Sequence, residues 1–498
     1  MIIGKIYGET RPDRVQIAIQ KNINVKYGEY VKMRFPEIDD WVIGNISEIK
    51  LINELYPDEL LTSNMLNWNL EEGEKMSADV NILGYPVFRD SSVEFIKPRV
   101  PPKPGENVYL ADNEILSKMF RVKNGICVGS LMNRDDVEVY LNADEVVRRH
   151  LAVLASTGSG KSHTVGVIVE ELLKKSGSIV IFDVHSEYIK LKSSKNYSKM
   201  VKIFEPSKNL FFRLSSLNYY DLVTLLNIQK TASNQRSLLY LALKELKERY
   251  AMAIYRNWYF DELKEVILKV AEREDLKKQV SSVMRKIDRV ENYGIFKKDL
   301  EVSIKDIAMV GRASVVSLSG FPIEIQQVIV SIILTKILRA RTNFRLKKNG
   351  EKLEWPVFLV IEEAHNFIPA YSTNISKEII RKIASEGRKF GVGICIVSQS
   401  PRKIDSDVLS QCNSMIIMRT INPSDQAQIK NSSESMSERL LSDLPGLNKG
   451  EAVIVGPAIS IPALVKIRER ETEHGGADIP IVESWEEWKE RLDEKYVE

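Results

Sequence analysis

Residues Ala155–Ser162 read ASTGSGKS, set between the apolar run Leu151–Leu154 and a segment of helical spacing, Thr164–Lys175. A tight glycine-rich turn between a strand and a helix presents successive backbone N–H groups and the positive end of the helix to one point in space, an arrangement that holds phosphate. Gly158 and Gly160 are placed where the backbone needs positive φ. Lys161 is spaced to reach the β- and γ-phosphates, and Ser162 to offer a hydroxyl to Mg²⁺. The pattern opens with Ala155 where glycine is usual, and a methyl group is tolerable there. Thr157, Gly158, Ser159, Gly160, Lys161, Ser162 and His163 are the nucleotide-binding candidates, with ATP and Mg²⁺ as the expected cofactors.

A phosphate turn of this kind demands a parallel sheet, and the rest of the chain supplies one. Ser178–Val184 is a second apolar run, so strand, turn, helix and strand make a βαβ unit. Further runs at Ala313–Leu318, Val357–Ile361 and Val392–Ser398 each sit beside a helical pattern. Between them, residues 209–300 show helical spacing with Leu222, Leu225, Leu226, Leu238, Leu239, Leu243 and Leu246 on one face. Upstream the period changes to two: Val15, Ile17 and Ile19 alternate with polar neighbours, as do Val31, Met33 and Phe35. Short strands with frequent glycine turns predict a small barrel, and the proline-rich KPRVPPKPGE at 97–106 predicts its end.

The expected fold class is therefore α/β: a P-loop (RecA-like) parallel-sheet ATPase core with a helical insert and an N-terminal small β-barrel. The expected domains are the barrel at 1–105, a bridge and the first part of the core at 106–208, the insert at 209–300, the second part of the core at 301–465, and an acidic tail at 466–498. The tail carries six Lys/Arg against eleven Asp/Glu and one tryptophan-bearing helix candidate, Trp485–Tyr496. Residues 1–465 are left at +8 although the whole chain is only +3, a balance that suits a polyanion at one local site rather than over the whole surface.

Four further motifs carry chemistry. VFLVIEEAH (Val357–His365) delivers two carboxylates at the carboxyl end of a strand, where parallel sheets bind ligands. Glu362 is the candidate linked to Mg²⁺ through water, and Glu363 the candidate general base. In GICIVSQSP, Gln399 lies just past a buried strand, placed to orient water and sense the γ-phosphate. ASEGRKFG (Ala384–Gly391) ends a helix with Arg388 and Lys389, and two readings stay open: an arginine acting on a neighbour's nucleotide, or a cation complementing the helix dipole. Arg148 and Arg149, before the P-loop strand, are a second pair. In FDVHSEY, Asp183 and Glu187 follow a strand end, and a role near the metal and a structural role are equally open. His185 has no neighbours at zinc-ligand spacing, and His365 reads as a support for the site.

Taken together, ASTGSGKS, FDVHSEY, VIEEAH, SEGRKFG, VSQSP and DVLSQCN resemble the HerA branch of the HerA/FtsK ATPases, and the β-rich start is similar to that branch's N-terminal barrel. The resemblance spans essentially the whole chain. It implies a homo-oligomeric, hexameric ring that threads double-stranded DNA and translocates by ATP hydrolysis, in archaea beside a nuclease of the NurA type during end resection. By that resemblance Glu363 activates water, Gln399 senses the γ-phosphate, Arg388 acts in trans with Arg149 behind it, and Asp183 falls on an active-site position. It also implies that the barrel docks the nuclease and that the tail braces a neighbouring subunit.

Other readings narrow on composition. Three scattered cysteines, Cys127, Cys395 and Cys412, form no disulfide framework and fit a reduced, cytoplasmic setting. The start MIIGKIYGET has no apolar signal core, and the apolar run Val328–Leu338 is broken by Ser331, Thr335 and Lys336, so no membrane association is expected. A ring ATPase moving protein or serving secretion, and an ATP-dependent nuclease scaffold that is no motor, are the alternatives. Lys377, Arg381 and Lys382 are candidate DNA contacts, set against a solvated helix face.

Overall fold

The structure, a computed structural model, describes residues 1–53, 74–89, 92–229, 231–250, 257–473, 475 and 481–495. The chain forms two compact units, one from Met1–Gly160 and Cys412–Glu469, the other from Lys161–Gln411 and Arg470–Glu498.

The first unit opens with β1 (Ile2–Tyr7), β2 (Arg14–Ile19), β3 (Tyr30–Phe35), β4 (Ile38–Asn53), β5 (Glu74–Arg89), β6 (Ser92–Ile96) and β7 (Asn107–Leu110). Their order is β2-β1-β7-β3-β4-β5, and β5 pairs back onto β2, so six antiparallel strands close a barrel while β6 attaches to β5. Closure leaves these six strands no free edge. The alternating residues Val15, Ile17, Val31 and Met33 point inward and bury with Ile3, Ile6, Val42 and Val80. The proline segment does not end the barrel. β7 follows it and inserts between β1 and β3. Proline stops a strand locally, but a later strand returns because pairing partners are chosen over long sequence distances.

The first unit continues with the hairpin β8 (Gly125–Leu131) and β9 (Arg134–Asn142), then β10 (Leu151–Leu154). The residues expected as a bridge are thus largely sheet. Barrel and hairpin are tied by Asn133, whose amide donates to the Tyr27 carbonyl at 2.7 Å, and by an Arg134–Glu29 pair at 3.0 Å.

The second unit holds β11 (Ser178–Asp183), β12 (Val201–Phe204), β13 (Arg312–Ser317), β14 (Val357–Ile361) and β15 (Val392–Ser398). They run parallel in the order β12-β13-β11-β14-β15. Burial on both faces explains why these strands read as unbroken apolar runs. Helix Lys161–Lys174 buries ten of its fourteen residues. Helices Tyr219–Leu225, Ser233–Tyr250, Phe260–Arg273 and Lys277–Glu291 form the inserted segment, packing Leu239, Leu243, Val266 and Ile287 between them.

The chain then returns to the first unit for β16 (Ser414–Met418), β17 (Glu451–Val455) and β18 (Ala463–Ile467). β16 lies parallel to β10, and β17, β18, β8 and β9 follow antiparallel. The tail helix runs Ile481–Lys495, with Trp485 and Trp488 exposed, and Tyr496 lies outside the described residues. Among the described residues no helix is long and apolar enough to cross a membrane.

Candidate active site

β10 ends at Leu154 and the phosphate turn begins at the buried Ala155. The turn is held from within by Ser159 N donating to Ser156 O at 3.3 Å, and from outside by Ser156 N donating to Arg419 O at 2.8 Å and Gly450 N to Ser159 O at 3.2 Å. Gly158 and Gly160 have φ of 78° and 106°. A Cβ on Gly158 would meet nothing within 4 Å, so backbone conformation, not space, requires glycine there. Helix Lys161–Lys174 starts where the turn ends, and its first N–H groups have no partner within the helix.

The second unit gathers the acidic groups. Just after β14 the backbone turns sharply, and Glu363 sits in the left-handed region at φ 45°, ψ 48°. A non-glycine residue held there stores strain, a feature concentrated at functional sites. Lys161 Nζ lies 3.9 Å from Glu363 Oε1. Among the described residues, the buried Oε2 of Glu363 has no hydrogen-bond partner, although His365 Nδ1 is 3.2 Å away off the bonding direction. That imidazole nitrogen also lies 3.2 Å from Ser398 Oγ. Burial raises the Glu363 pKa above its ordinary value and the Glu187 charge adds to this, while Lys161 and His185 oppose it.

Glu362, 1% exposed, accepts from Val184 N at 3.2 Å. Asp183 accepts from the N–H groups of Glu187 and Tyr188, both at 3.0 Å. Glu187 in turn accepts from the Ser162 hydroxyl. Burial, reinforced by the charges of Asp183 and Glu187, pushes Glu362 well above the usual carboxylate range, and burial raises Asp183 as well. Crowded carboxylates of this kind relieve their repulsion by taking up protons or a cation. Among the described residues no group of three or more His, Cys, Asp or Glu is placed to hold a metal by itself. The donors fit a hard ion that keeps its waters and arrives on nucleotide phosphates, which is how Mg²⁺ binds: one hydroxyl at Ser162 and a carboxylate, Glu362, acting from a distance.

Lys161, Ser162, Asp183, Glu362 and Glu363 are therefore brought together in one unit. Gln399 follows β15, whose Ile396 pairs with Ile361 of β14, so it lies past the same end of the sheet as Glu363. Arg388 is exposed in the last turn of helix Ile375–Phe390 and makes no hydrogen bond or ion pair with these carboxylates among the described residues. Arg149, in the first unit, lies 2.8 Å from Glu145.

Two features were not read from the sequence. Glu187, weighed only alongside Asp183, is the group that engages the Ser162 hydroxyl. Glu170 on the phosphate-turn helix, fully buried, accepts from Glu471 N at 3.2 Å, Thr472 N at 3.0 Å and Thr472 Oγ1 at 2.6 Å. Beside it the Arg470 guanidinium packs over Gly166, where a Cβ would come within 2.5 Å of Cζ.

The candidate DNA contacts are corrected. Lys377 is 7% exposed, donates to Pro369 O at 2.6 Å and Ser372 O at 3.1 Å, and pairs with Asp405 at 3.0 Å. Arg381 forks to Asp405 and Asp407. Of the three, Lys382 is the exposed cation with no such pairing among the described residues. Helical spacing does not reveal that Asp405, beyond the next strand, claims the other two.

Known proteins resemble this chain along most of its length. The family described as "Helicase HerA, central domain" matches residues 126–337, and the HAS barrel domain matches residues 3–84. A probable helicase of Methanocaldococcus jannaschii, MJ1565, is 34% identical over 97% of this chain and 94% of its own length. The DNA double-strand break repair helicase HerA of Pyrococcus furiosus is 31% identical, with 98% of each chain covered. That of Sulfurisphaera tokodaii is 33% identical over 99% and 98%. Among solved structures, VirB4 of Thermoanaerobacter pseudethanolicus aligns with a TM-score of 0.54 at 16% identity, covering 70% of this chain and 97% of that one. The plasmid coupling protein TrwB in complex with ADP and Mg²⁺ gives 0.50 at 16% identity, over 79% and 96%. These two share the fold.

Proposed function

Because the chain belongs to the HerA helicase family, we propose that it is an ATP-driven translocase of double-stranded DNA, working as a hexameric ring with a NurA-type nuclease in end resection. The relatives named as double-strand break repair helicases align from end to end, which supports carrying that role to this chain.

The phosphate turn, Thr157–His163, binds the nucleotide, with Lys161 on the β- and γ-phosphates. Mg²⁺, when bound, neutralises developing phosphate charge. Ser162 and Glu362 would hold it, the Ser162 hydroxyl offering its oxygen while it donates to Glu187. Glu363 takes a proton from the attacking water. The single observation that carries this reading is the buried, unpartnered Oε2 of Glu363, held by a left-handed backbone on the same carboxylate that faces Lys161. Gln399 orients the water and reports loss of the γ-phosphate. Arg388, exposed, reaches a neighbour's nucleotide, and the barrel docks the nuclease.

The test is the steady-state ATPase rate with and without linear duplex DNA at low and high salt. Salt-sensitive stimulation supports the motor, because phosphate contacts weaken steeply as salt rises. A rate indifferent to DNA at every salt, with and without the nuclease, overturns it.

A further inference from the structure

Helix Ile323–Arg345 carries Arg341, which is 4% exposed and joins this helix to the end of helix Ile375–Phe390. Its Nε donates to the Phe390 carbonyl at 2.7 Å and its Nη1 to the Leu353 carbonyl at 2.9 Å. Both partners are backbone, and no carboxylate pairs with it among the described residues. Burial works against its charge, and the nearby Arg345 adds to that. A guanidinium taken out of water without a counter-ion is costly. The negative end of a helix, whose last carbonyls have no partner within the helix, offsets that cost.

The same helix end is fastened on further sides. Gly391 caps it at φ 71°, with its N–H donating to Arg388 O at 3.4 Å. The Gly391 carbonyl accepts from Val357 N, at the start of β14, at 2.9 Å. Gly387 lies so close to the start of β15 that a Cβ there would come within 2.5 Å of the Val392 carbonyl oxygen. A Cβ on Gly391 would stand 2.8 Å from Arg341 Nη2. The last turn is thus locked to helix Ile323–Arg345, to the starts of β14 and β15, and to the segment that leads into β14.

Arg388 stands in that turn, two residues before Phe390, with its side chain exposed. Helix ends fray when nothing holds them, and a side chain as long as arginine magnifies each shift of the backbone beneath it. An arginine that must meet a phosphate on another subunit tolerates little of this, because a displacement of about 1 Å can cost about a hundredfold in rate. A buried cation spent on the two carbonyls that fix this turn therefore bears on where Arg388 points.

We infer that Arg341 is a positioning residue for hydrolysis: by holding the Phe390 and Leu353 carbonyls it aims Arg388 at the nucleotide of the neighbouring subunit. This deepens the proposed function and rests on the role in trans assigned there to Arg388. Arg341 acts through Arg388 and leaves the phosphate turn of its own subunit as it is.

The test is the steady-state ATPase of the full-length protein, alone and in mixtures of variants. Arg341→Gln is expected to lower kcat about a hundredfold while KM for ATP stays within about twofold, the pattern of an interaction made only in the transition state. Arg341→Lys keeps the charge but not the fork that spans two carbonyls, and should fall between. Mixed with Lys161→Ala protein, Arg341→Gln protein should recover part of the rate, because its intact phosphate turn then receives a well-aimed Arg388 from a Lys161→Ala neighbour. Mixed with Arg388→Ala protein it should recover nothing, because both then lend no usable arginine. Should Arg341→Gln fail to fold, Gly391→Ala disturbs the same lock from the other side and replaces it in each mixture. Recovery with Arg388→Ala protein overturns the inference, since Arg388 would then be well aimed without Arg341. No recovery with Lys161→Ala protein, where Arg388→Ala does recover, also overturns it and leaves the role of Arg388 standing. Failure of both variants to fold overturns it as well, assigning the lock to stability alone. If Arg388→Ala recovers nothing with Lys161→Ala, the role in trans falls and the aiming falls with it.

Discussion

Lys161 Nζ and Glu363 Oε1 lie 3.9 Å apart, so the lysine assigned to phosphate also steadies the carboxylate assigned to water. Two opposing effects meet at Glu363: burial favours its neutral form and Lys161 favours its charged form, with burial the larger. In the proposed mechanism, a phosphate that draws Lys161 away would leave the carboxylate more basic as it takes its proton.

Replacing Glu363 by Gln removes the proposed base and keeps the shape. ATP binding should persist, measured with a fluorescent analogue, while turnover falls at least a hundredfold, the low end of what a positioned base contributes. Turnover near the wild-type rate would take Glu363 out of its role.

The raised pKa of Glu363 has a kinetic sign. The proposed role needs the unprotonated form, so kcat should fall on the acid side at a pH above the ordinary glutamate value of 4.5. An acid limb at or below 4.5 in the pH–rate profile would contradict the geometry.

Glu362 allows a stability test in the opposite direction. Its folded pKa lies above the unfolded one, so the folded protein binds this proton more tightly. Below the unfolded value, Glu362→Gln should change stability little. As pH rises toward the folded value, the wild type should lose stability that the variant keeps, so the gap in Tm widens, by about 2–4 °C for each kcal/mol. Mg²⁺-dependent turnover should fall in the same variant. A Tm gap that shrinks with rising pH would refute the assignment.

Arg388→Ala should abolish activity alone, yet mixed with Lys161→Ala protein it should recover part of the rate if each subunit lends its arginine to a neighbour. Mixed assemblies as inactive as either parent would make Arg388 a structural cation. Arg149→Ala serves as the comparison, since Arg149 already has Glu145 within ion-pair distance.

Gly166→Ala places a methyl group 2.5 Å from the Arg470 guanidinium carbon. The expected cost is about 1–3 kcal/mol, the usual range for overpacking, read as a lower Tm. Nucleotide affinity should weaken with it because Gly166 lies one turn beyond Ser162. Full wild-type affinity alongside a lowered Tm would confine the clasp to stability.

What the sequence makes legible is what depends on neighbours in the chain. The phosphate turn, the alternation in β2 and β3, and the carboxylates after β14 are all local patterns. β7, the hairpin β8–β9 and the strands β16–β18 are less visible, because short apolar runs do not state which distant strand they join. The same limit hid the site's supports. Lys377 reads as a free cation until Asp405 is folded against it, and nothing near Glu170 in the chain announces Thr472 as its donor.

Glu170 and Thr472 stand 302 positions apart, which has a consequence for the protein's synthesis. A ribosome releases the phosphate-turn helix long before it makes the residues that satisfy the buried Glu170 carboxylate, and a buried charge lacking its donors is strongly disfavoured. The helix bearing Lys161 therefore reaches its final setting only after Glu471 and Thr472 have been made. A chain that stops short of Glu471 leaves the Glu170 carboxylate without the Glu471 and Thr472 donors that satisfy it in the folded protein, and the helix behind the phosphate turn loses that brace.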